Sequence, residues 1–314
     1  MHTLPLLRDR TKLAIVDAHH HLWDLAAGHY PWLQDEYQGA AFFLGEYQTL
    51  RRNYLAPEYL RDTSGYNVIA SVHVEAERSR SEQVDETHWL HEVRHSTGLP
   101  SVVVPHVSFI QADRDDILAS HARYPEVRGI RSKPVTARSP QESVRGQAGT
   151  MQDPRWLEGL SALERYGFSW DLRVPFWHLA EAAEVAATFP RIRIAINHTG
   201  LPWDRSDEGL SQWRTGLAAL AAHPNVFIKL SEFGLAGGRW DEQSNRRVIR
   251  DAVAIFGTER AMFASNLPVS SISASFGVIV ETVLGALADY DDLAIGRVFS
   301  QNAMAFYRID ARGW

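Results

Sequence analysis

The sequence predicts an α/β fold, a (β/α)8 TIM barrel formed by one domain over residues 1–314, with long loops at the C-terminal face of the barrel. Three observations predict it. Short β-branched or apolar runs alternate with stretches that carry apolar residues at helical spacing. The runs number eight, which favours a closed ring over an open sheet. The chain has 314 residues and is 45% hydrophobic, enough for one large core. The expected strands are residues 13–17, 68–75, 102–109, 127–133, 168–174, 192–198, 226–230 and 261–266. The helix-like stretches are 82–95, 156–166, 178–189, 210–223 and 245–256. Strand–helix alternation of this kind marks parallel βαβ units.

Two connections exceed the usual βα length. Residues 25–67 follow the first strand and carry Tyr30, Trp32, Tyr37, Phe42, Phe43 and Tyr47. Residues 134–154 follow the fourth strand and contain Gly, Pro and Ser. Both leave the C-terminal ends of strands, where barrels build their active sites, so both are expected to be walls or lids.

Composition removes several functions. The formal net charge is −6, so there is no global positive field to hold nucleic acid. The cysteine count is 0, which excludes disulfides, zinc fingers, iron–sulfur clusters and a thiol nucleophile. No apolar run reaches the roughly 18 residues of a membrane span, and the first residues lack the apolar core of a secretory signal. The cytoplasm is the expected compartment.

The chemistry begins at VDAHHHLWD, residues 16–24. Alternation along a strand sends His19 and His21 to one side together with Asp17, and His20 to the other, into the layer between strands and helices. Two imidazoles at i and i+2 can converge on one ion, because neutral imidazole binds zinc and similar metals well. The competing reading is a cluster of core histidines. In IAINHTGLP, His198 ends an apolar run before a turn, so it faces the barrel mouth as a third ligand or as an electrophile that polarises a carbonyl. In AMFASNLPVS, alternation puts Met262, Ala264 and Asn266 on one face, with Asn266 at the end of the last strand.

The ordered set of these motifs resembles the amidohydrolase superfamily. Within it, the set is similar to the amidohydrolase-related group of sugar lactonases and pyrone-dicarboxylate lactonases. Further matches are YPWL (30–33), VHVEAE (72–77), GIRSKP (129–134), NVFIKLS (225–231) and QNAMAFYRI (301–309), so the resemblance covers nearly the whole chain. It implies that His19, His21 and His198 surround the reaction centre and hold one divalent metal, zinc, with metal-independent catalysis as the alternative. It also implies an acidic residue at the end of the eighth strand as general base. This chain has Asn266 there, and an amide cannot take up a proton in that way.

Three carboxylates are candidates for the missing base. Glu75 lies at the end of the second strand and Asp171 on the fifth, and the family match ranks these two above Glu232, which follows the seventh strand where relatives more often carry glycine. Cations gather on the same inward faces. Arg131 and Lys133 share a face of the fourth strand, Arg173 shares one with Asp171, and Lys229 lies near the end of the seventh. They suit a substrate that is anionic or polyhydroxylated, and the competing reading is internal pairing with Glu75, Asp171 and Glu232. Trp32, Trp89, Trp170 and Trp177 are candidates for stacking on a sugar ring, although most buried tryptophans serve packing. Trp32, in the long first insert, is the one expected at the substrate.

The leading function is therefore hydrolysis of a small lactone, of a sugar acid or a dicarboxylate, by water attack at the carbonyl. Non-oxidative decarboxylation of an aromatic or unsaturated acid is the second reading, and Asn266 counts against it. A catalytically inert ligand-binding barrel is the third, and three histidines at the mouth count against that. The expected partner is a small molecule, with neither nucleic acid nor membrane, and the aromatic insert also suits a homo-oligomer interface.

Overall fold

The computed structural model describes residues 11–310. The strands are β1 (Ile15–His20), β2 (Val68–Val74), β3 (Val102–Val104), β4 (Gly129–Ile130), β5 (Ser169–Leu172), β6 (Ile194–Ile196), β7 (Val226–Leu230) and β8 (Ala261–Phe263). Each falls on an expected run, but β1 continues through His20 where the apolar run suggested an end at Asp17. All pair in parallel, as β1-β2-β3 and β4-β5-β6-β7-β8. Isolated parallel bridges close both seams: Val103 with Val127 and His106 with Arg131 on one side, His20 with Leu267 on the other. At the second seam Asn266 N donates to His19 O (2.7 Å) and His21 N to Leu267 O (2.8 Å). The chain is thus an α/β TIM barrel.

The inner face explains the small residues in the strands. Val16, Ala18, Ala70, Val72, Val74, Val102, Val104, Ala195, Met262 and Ala264 form one buried cluster, and Ala303, Phe306 and Tyr307 join it. The last three belong to the final helix, Asn302–Tyr307. The outer faces of the strands, with Ile130, Trp170, Leu172, Ile194, Ile196 and Ile228, pack in the larger core beneath the helices. Burial on both faces is why the strands read as apolar runs without polar alternation.

The helices that cover this layer start where local chemistry says they should. These are α1 (Gln83–Thr97), α2 (Arg114–His121), α3 (Pro154–Ser161), α4 (Leu179–Thr188), α5 (Asp207–Ala221), α6 (Glu242–Phe256) and α7 (Phe276–Ala286). Ser206, Asp241 and Ser275 cap α5, α6 and α7 by accepting from Gly209 N, Ser244 N and Val278 N. Among the described residues no helix is long and apolar enough to cross a membrane.

The two long connections part company. Residues 25–67 fold back over the barrel mouth, and Trp32, Phe42, Phe43 and Tyr47 line a cavity there. Residues 134–154 do not reach that cavity. They pack beside it instead: Ala137 N donates to His178 Nε2 (2.8 Å) and Trp177 Nε1 donates to Ala137 O (3.2 Å). The expected second lid is therefore a buttress for the segment before α4.

Candidate active site

The cavity has a volume of about 390 Å³ and lies at the C-terminal ends of the strands. His21, His198, Glu232 and Asn266 contribute its polar groups, Arg131, Lys133 and Arg173 its cations, and Trp32, Phe42, Phe43, Tyr47 and Trp203 its aromatic wall. Phe43 stacks on Trp203 with ring centroids 5.0 Å apart, tying the long insert to the loop after β6.

Strand β1 delivers the histidines through a register shift. Asp17 pairs with Ser71 and His20 with His73, so β1 spends three steps where β2 spends two. A bulge of this kind lets two successive residues face the same way. Ala18 packs inside the barrel, and His19 also points inward, 5.0 Å from the ring of His21 and 4.6 Å from that of His198. His20 points outward as expected, with Nε2 3.0 Å from Ser71 Oγ and its ring 4.3 Å from Tyr59.

The same bulge corrects the placement of Asp17, which does not share the histidines' face. Asp17 accepts from Ser265 N (2.8 Å), Ser265 Oγ (2.5 Å) and Tyr59 Oη (3.0 Å), and so locks the seam between β1 and β8. Burial pushes its carboxyl up to about 6 against the pull of those hydrogen bonds.

Each inward histidine is held by a partner behind it. His21 Nδ1 lies 2.7 Å from Val74 O, a carbonyl that only accepts, so Nδ1 carries the proton and Nε2 the lone pair. That Nε2 faces Asn266 Oδ1 at 3.2 Å, an acceptor against an acceptor. Turning the amide would satisfy His21 but would set Asn266 Oδ1 against Glu232, which now accepts from Asn266 Nδ2 at 3.0 Å. The amide thereby couples His21 to the protonation of Glu232. His198 Nδ1 sits 3.1 Å from Ser231 Oγ, and its Nε2 lies 3.5 Å from Glu232 Oε2. Burial first, then the charges of Lys229, Arg131 and Arg173 respectively, hold His19, His21 and His198 well below the ordinary imidazole range. All three are neutral near pH 7.

The carboxylates separate cleanly. Glu75 is buried, and Arg131 Nε donates to its Oε1 at 2.7 Å, with Arg80 Nη1 at 3.3 Å and Lys133 Nζ at 3.8 Å. Burial would raise its carboxyl, but Arg131, Lys133 and Arg80 outweigh burial and hold it well below the usual range. Asp171 is fully buried, bonded to Lys229 Nζ, Tyr307 Oη (3.0 Å) and Asn197 Nδ2 (3.0 Å). Neither lines the cavity, which reverses the order in which the sequence ranked the bases. Glu77 does line it, but Lys133 and Arg80 occupy its oxygens. Glu232 is the cavity carboxylate with no Lys or Arg at ion-pair distance among the described residues, and burial raises its carboxyl above the ordinary 4.5.

The cations divide in the same way. Lys229 is fully buried on Asp171, with Nζ 3.4 Å from His19 Nδ1, so it does not reach the cavity expected of a substrate contact. Arg131 and Lys133 line the cavity while serving Glu75 and Glu77. Burial brings the Lys133 ammonium down to about 8, with Glu75 opposing. Arg173 lines the cavity, and no ion pair or hydrogen bond to another described residue engages its guanidinium. Of the tryptophans, Trp32 lines the cavity and donates to Ala76 O (2.9 Å), Trp170 is buried, and Trp89 and Trp177 pack against the core. Trp203 was not anticipated, because it follows the strand-six turn with no pattern of its own.

Backbone strain marks the same positions. His198, Thr199, Glu232 and Asn266 all have positive φ, at 55°, 56°, 54° and 56°. Non-glycine residues in this region cost on the order of 1 kcal/mol or more each and gather at functional sites.

Residues 16–309 match the Amidohydro_2 family model, described as Amidohydrolase. The chain belongs to the amidohydrolase family. It is 33% identical over 297 residues to the protein y4mH of Sinorhizobium fredii, covering 95% of this chain and 99% of that one. It is 29% identical to the L-fucono-1,5-lactonase of Burkholderia ambifaria, covering 94% and 96%. An amidohydrolase from Burkholderia multivorans, crystallised with bound zinc, shares the fold with a TM-score of 0.75 at 23% identity, covering 95% of this chain and all 100% of that one.

Among the described residues of this amidohydrolase, the expected metal ligands His19, His21 and His198 come together as neighbouring rings. His19 Nε2 is buried without a partner, which a metal would satisfy. Yet among the described residues no group of three or more His, Cys, Asp or Glu is arranged to hold a metal ion. His198 is engaged by Ser231 and Glu232, Asn266 replaces the carboxylate, and the Lys229 ammonium stands directly behind His19.

Proposed function

We propose that this amidohydrolase opens a small lactone, with Glu232 as the general base. The observation that carries the reading is the hydrogen bond of 3.0 Å between Asn266 Nδ2 and Glu232 Oε2. The carboxylate missing from the end of β8 is thereby supplied, one hydrogen bond away, from the end of β7. Glu232 takes a proton from water as the water attacks the lactone carbonyl, and the same carboxyl then returns it to the ring oxygen that leaves. Water adds across the ester C–O bond, giving an alcohol and a carboxylic acid on one chain, and the acid releases its proton to solvent as it ionises to the carboxylate. Neutral His198, with Ser231 Oγ donating to its Nδ1 and the proton on Nε2, faces the developing oxyanion with the Arg131 guanidinium beside it, and the lone pair on His21 Nε2 takes no part in that stabilisation.

The partner in this reading is a small anionic substrate, and Arg173 is its anchor. A cavity guanidinium that no described residue engages by a hydrogen bond or ion pair is available to a carboxylate, which it binds through two parallel N–H···O bonds. Arg173→Leu should raise KM for carboxylated lactones about tenfold or more, because charge-assisted hydrogen bonds contribute about 1.5–3 kcal/mol, and should leave kcat nearly unchanged on the alkaline plateau where Glu232 stays ionised, with the acidic limb moved upward by loss of the nearby charge. An equal loss for neutral and carboxylated lactones would remove this assignment. The aromatic wall would cover the apolar edge of the ring. A cytoplasmic location and a homo-oligomer built on the aromatic insert remain part of the proposal.

The function is tested with a panel of neutral and carboxylated lactones in a pH-indicator assay. Acid release supports it. Release of carbon dioxide from carboxylated rings would favour decarboxylation, and ligand binding without turnover would favour an inert barrel. No step is assigned to a metal. The zinc expectation has its own test, elemental analysis of protein purified without chelator, followed by assay in EDTA. Activity is expected to persist in EDTA, and Asn266→Asp is expected to raise zinc affinity by restoring a carboxylate ligand. Loss of activity in EDTA with recovery on added zinc would return the metal to the site.

A further inference from the structure

A second cluster of imidazoles lies on α1, on the outside of the barrel and apart from the cavity. His91 and His95 are one helical turn apart, at i and i+4, where side chains on a helix meet. Their rings are 4.3 Å apart, and the two Nε2 atoms face each other at 3.0 Å. Two nitrogens bound to one ion at about 2.0–2.1 Å stand about 2.9–3.4 Å apart for right-angled to tetrahedral geometry.

The tautomer of His91 is fixed from behind. Its Nδ1 lies 2.8 Å from Oε1 of Glu126, a carboxylate whose side chain is 2% exposed. A carboxylate only accepts, so Nδ1 carries the proton and Nε2 presents its lone pair. A histidine whose far nitrogen donates to a buried carboxylate is the arrangement that orients imidazole ligands and raises their basicity. His95 is exposed and free to change tautomer. At rest its Nε2–H donates to His91; with an ion between the rings, its proton moves to Nδ1 and both lone pairs converge.

We infer that His91 and His95 form a surface site for one divalent transition metal of the nickel, copper and zinc class, with Glu126 as the positioning residue. Imidazole nitrogens select these ions over magnesium or calcium. The chain offers two ligands, in keeping with the lack of any three-ligand group among the described residues, and water completes the shell. The helix holds the two nitrogens at the spacing an ion needs, so the ion binds the folded state more tightly than the unfolded chain and stabilises it.

The test uses the untagged full-length chain and Ni2+ or Cu2+ alone. Calorimetry should show one equivalent of Ni2+ per chain, and Ni2+ should raise Tm. His95→Ala, an exposed change that leaves the fold intact, should weaken Ni2+ binding at least about tenfold and abolish the rise in Tm, and Glu126→Gln should weaken binding about tenfold. The electron paramagnetic resonance spectrum of bound Cu2+ should show two coordinated nitrogens in the parent and one in His95→Ala. Equal affinity in parent and His95→Ala, or a Cu2+ spectrum unchanged by that substitution, would overturn the inference. The site at the cavity is untouched by either variant, so failure here leaves the lactonase reading standing.

Discussion

Glu232→Gln is expected to lower kcat for lactone opening by a factor of about 10² to 10⁴, the range that general base catalysis contributes. Glutamine keeps the size of the side chain and an oxygen for Asn266 Nδ2, so the fold and the cavity are retained while the proton acceptor is lost. KM should change little, since Glu232 acts on water and not on the substrate's anchor. The pH profile gives a second readout. The base works only when ionised, so activity is present at high pH and falls as pH drops through the carboxyl's own pKa. Burial raises that value above the ordinary 4.5, with Arg173, Arg131 and Lys133 opposing, so the acidic limb should lie above that ordinary value. The limb should vanish in Glu232→Gln. Adding Asn266→Asp to that variant moves a carboxylate back to the end of β8, one hydrogen bond away, and should restore part of the rate. A Glu232→Gln enzyme with more than about half the parent kcat would end the assignment.

Much of this site is legible in the linear sequence, for a physical reason. Strand ends carry the residues that reach a barrel mouth, and apolar runs mark the strands. Position and the resemblance single out His19, His21, His198 and Asn266; of these His21, His198 and Asn266 line the cavity, and His19 lies beside them, 5.0 Å from the ring of His21 and 4.6 Å from that of His198. Asp17 is misplaced because strict alternation was applied across a bulge. A single extra residue between Asp17 and His20 reverses the parity, and nothing in the letters VDAHHH signals it.

The placement of the carboxylates departs from the sequence expectation for a different reason. Glu75 and Asp171 each sit on a strand among inward cations, but a sequence does not say which cation reaches which acid. In three dimensions Arg131 and Lys229 neutralise them, and Glu232, on the loop after β7, has no Lys or Arg at ion-pair distance among the described residues. The competing reading of internal ion pairs was right for these two acids. A signal for Glu232 did exist: a glutamate where the resemblance implies glycine, at a backbone position with φ of 54° that glycine adopts freely. Accepting that strain for a charged side chain points to use of the charge.

Lys229→Met is expected to destabilise the protein by about 3–5 kcal/mol, the cost of breaking a buried ion pair from one side. Lys229 and Asp171 are both fully buried, and removing the ammonium leaves the carboxylate, among the described residues, with Tyr307 Oη and Asn197 Nδ2 as its side-chain donors. At about 2–4 °C per kcal/mol for a chain of this size class, Tm should fall by about 6–20 °C. Burial lowers the Lys229 ammonium's pKa, yet the adjacent carboxylate opposes that shift, as expected when the partner charge holds the proton in place. The companion change decides between structure and catalysis. Asp171→Asn combined with Lys229→Met removes both charges together, and a neutral pair of similar volume costs far less than one orphaned charge. The double variant should recover most of the lost Tm and keep kcat within about tenfold of the parent, because neither group lines the cavity. If Asp171 were the base, the double variant would fold and be inactive. That outcome would return the proton to β5 and take it away from Glu232.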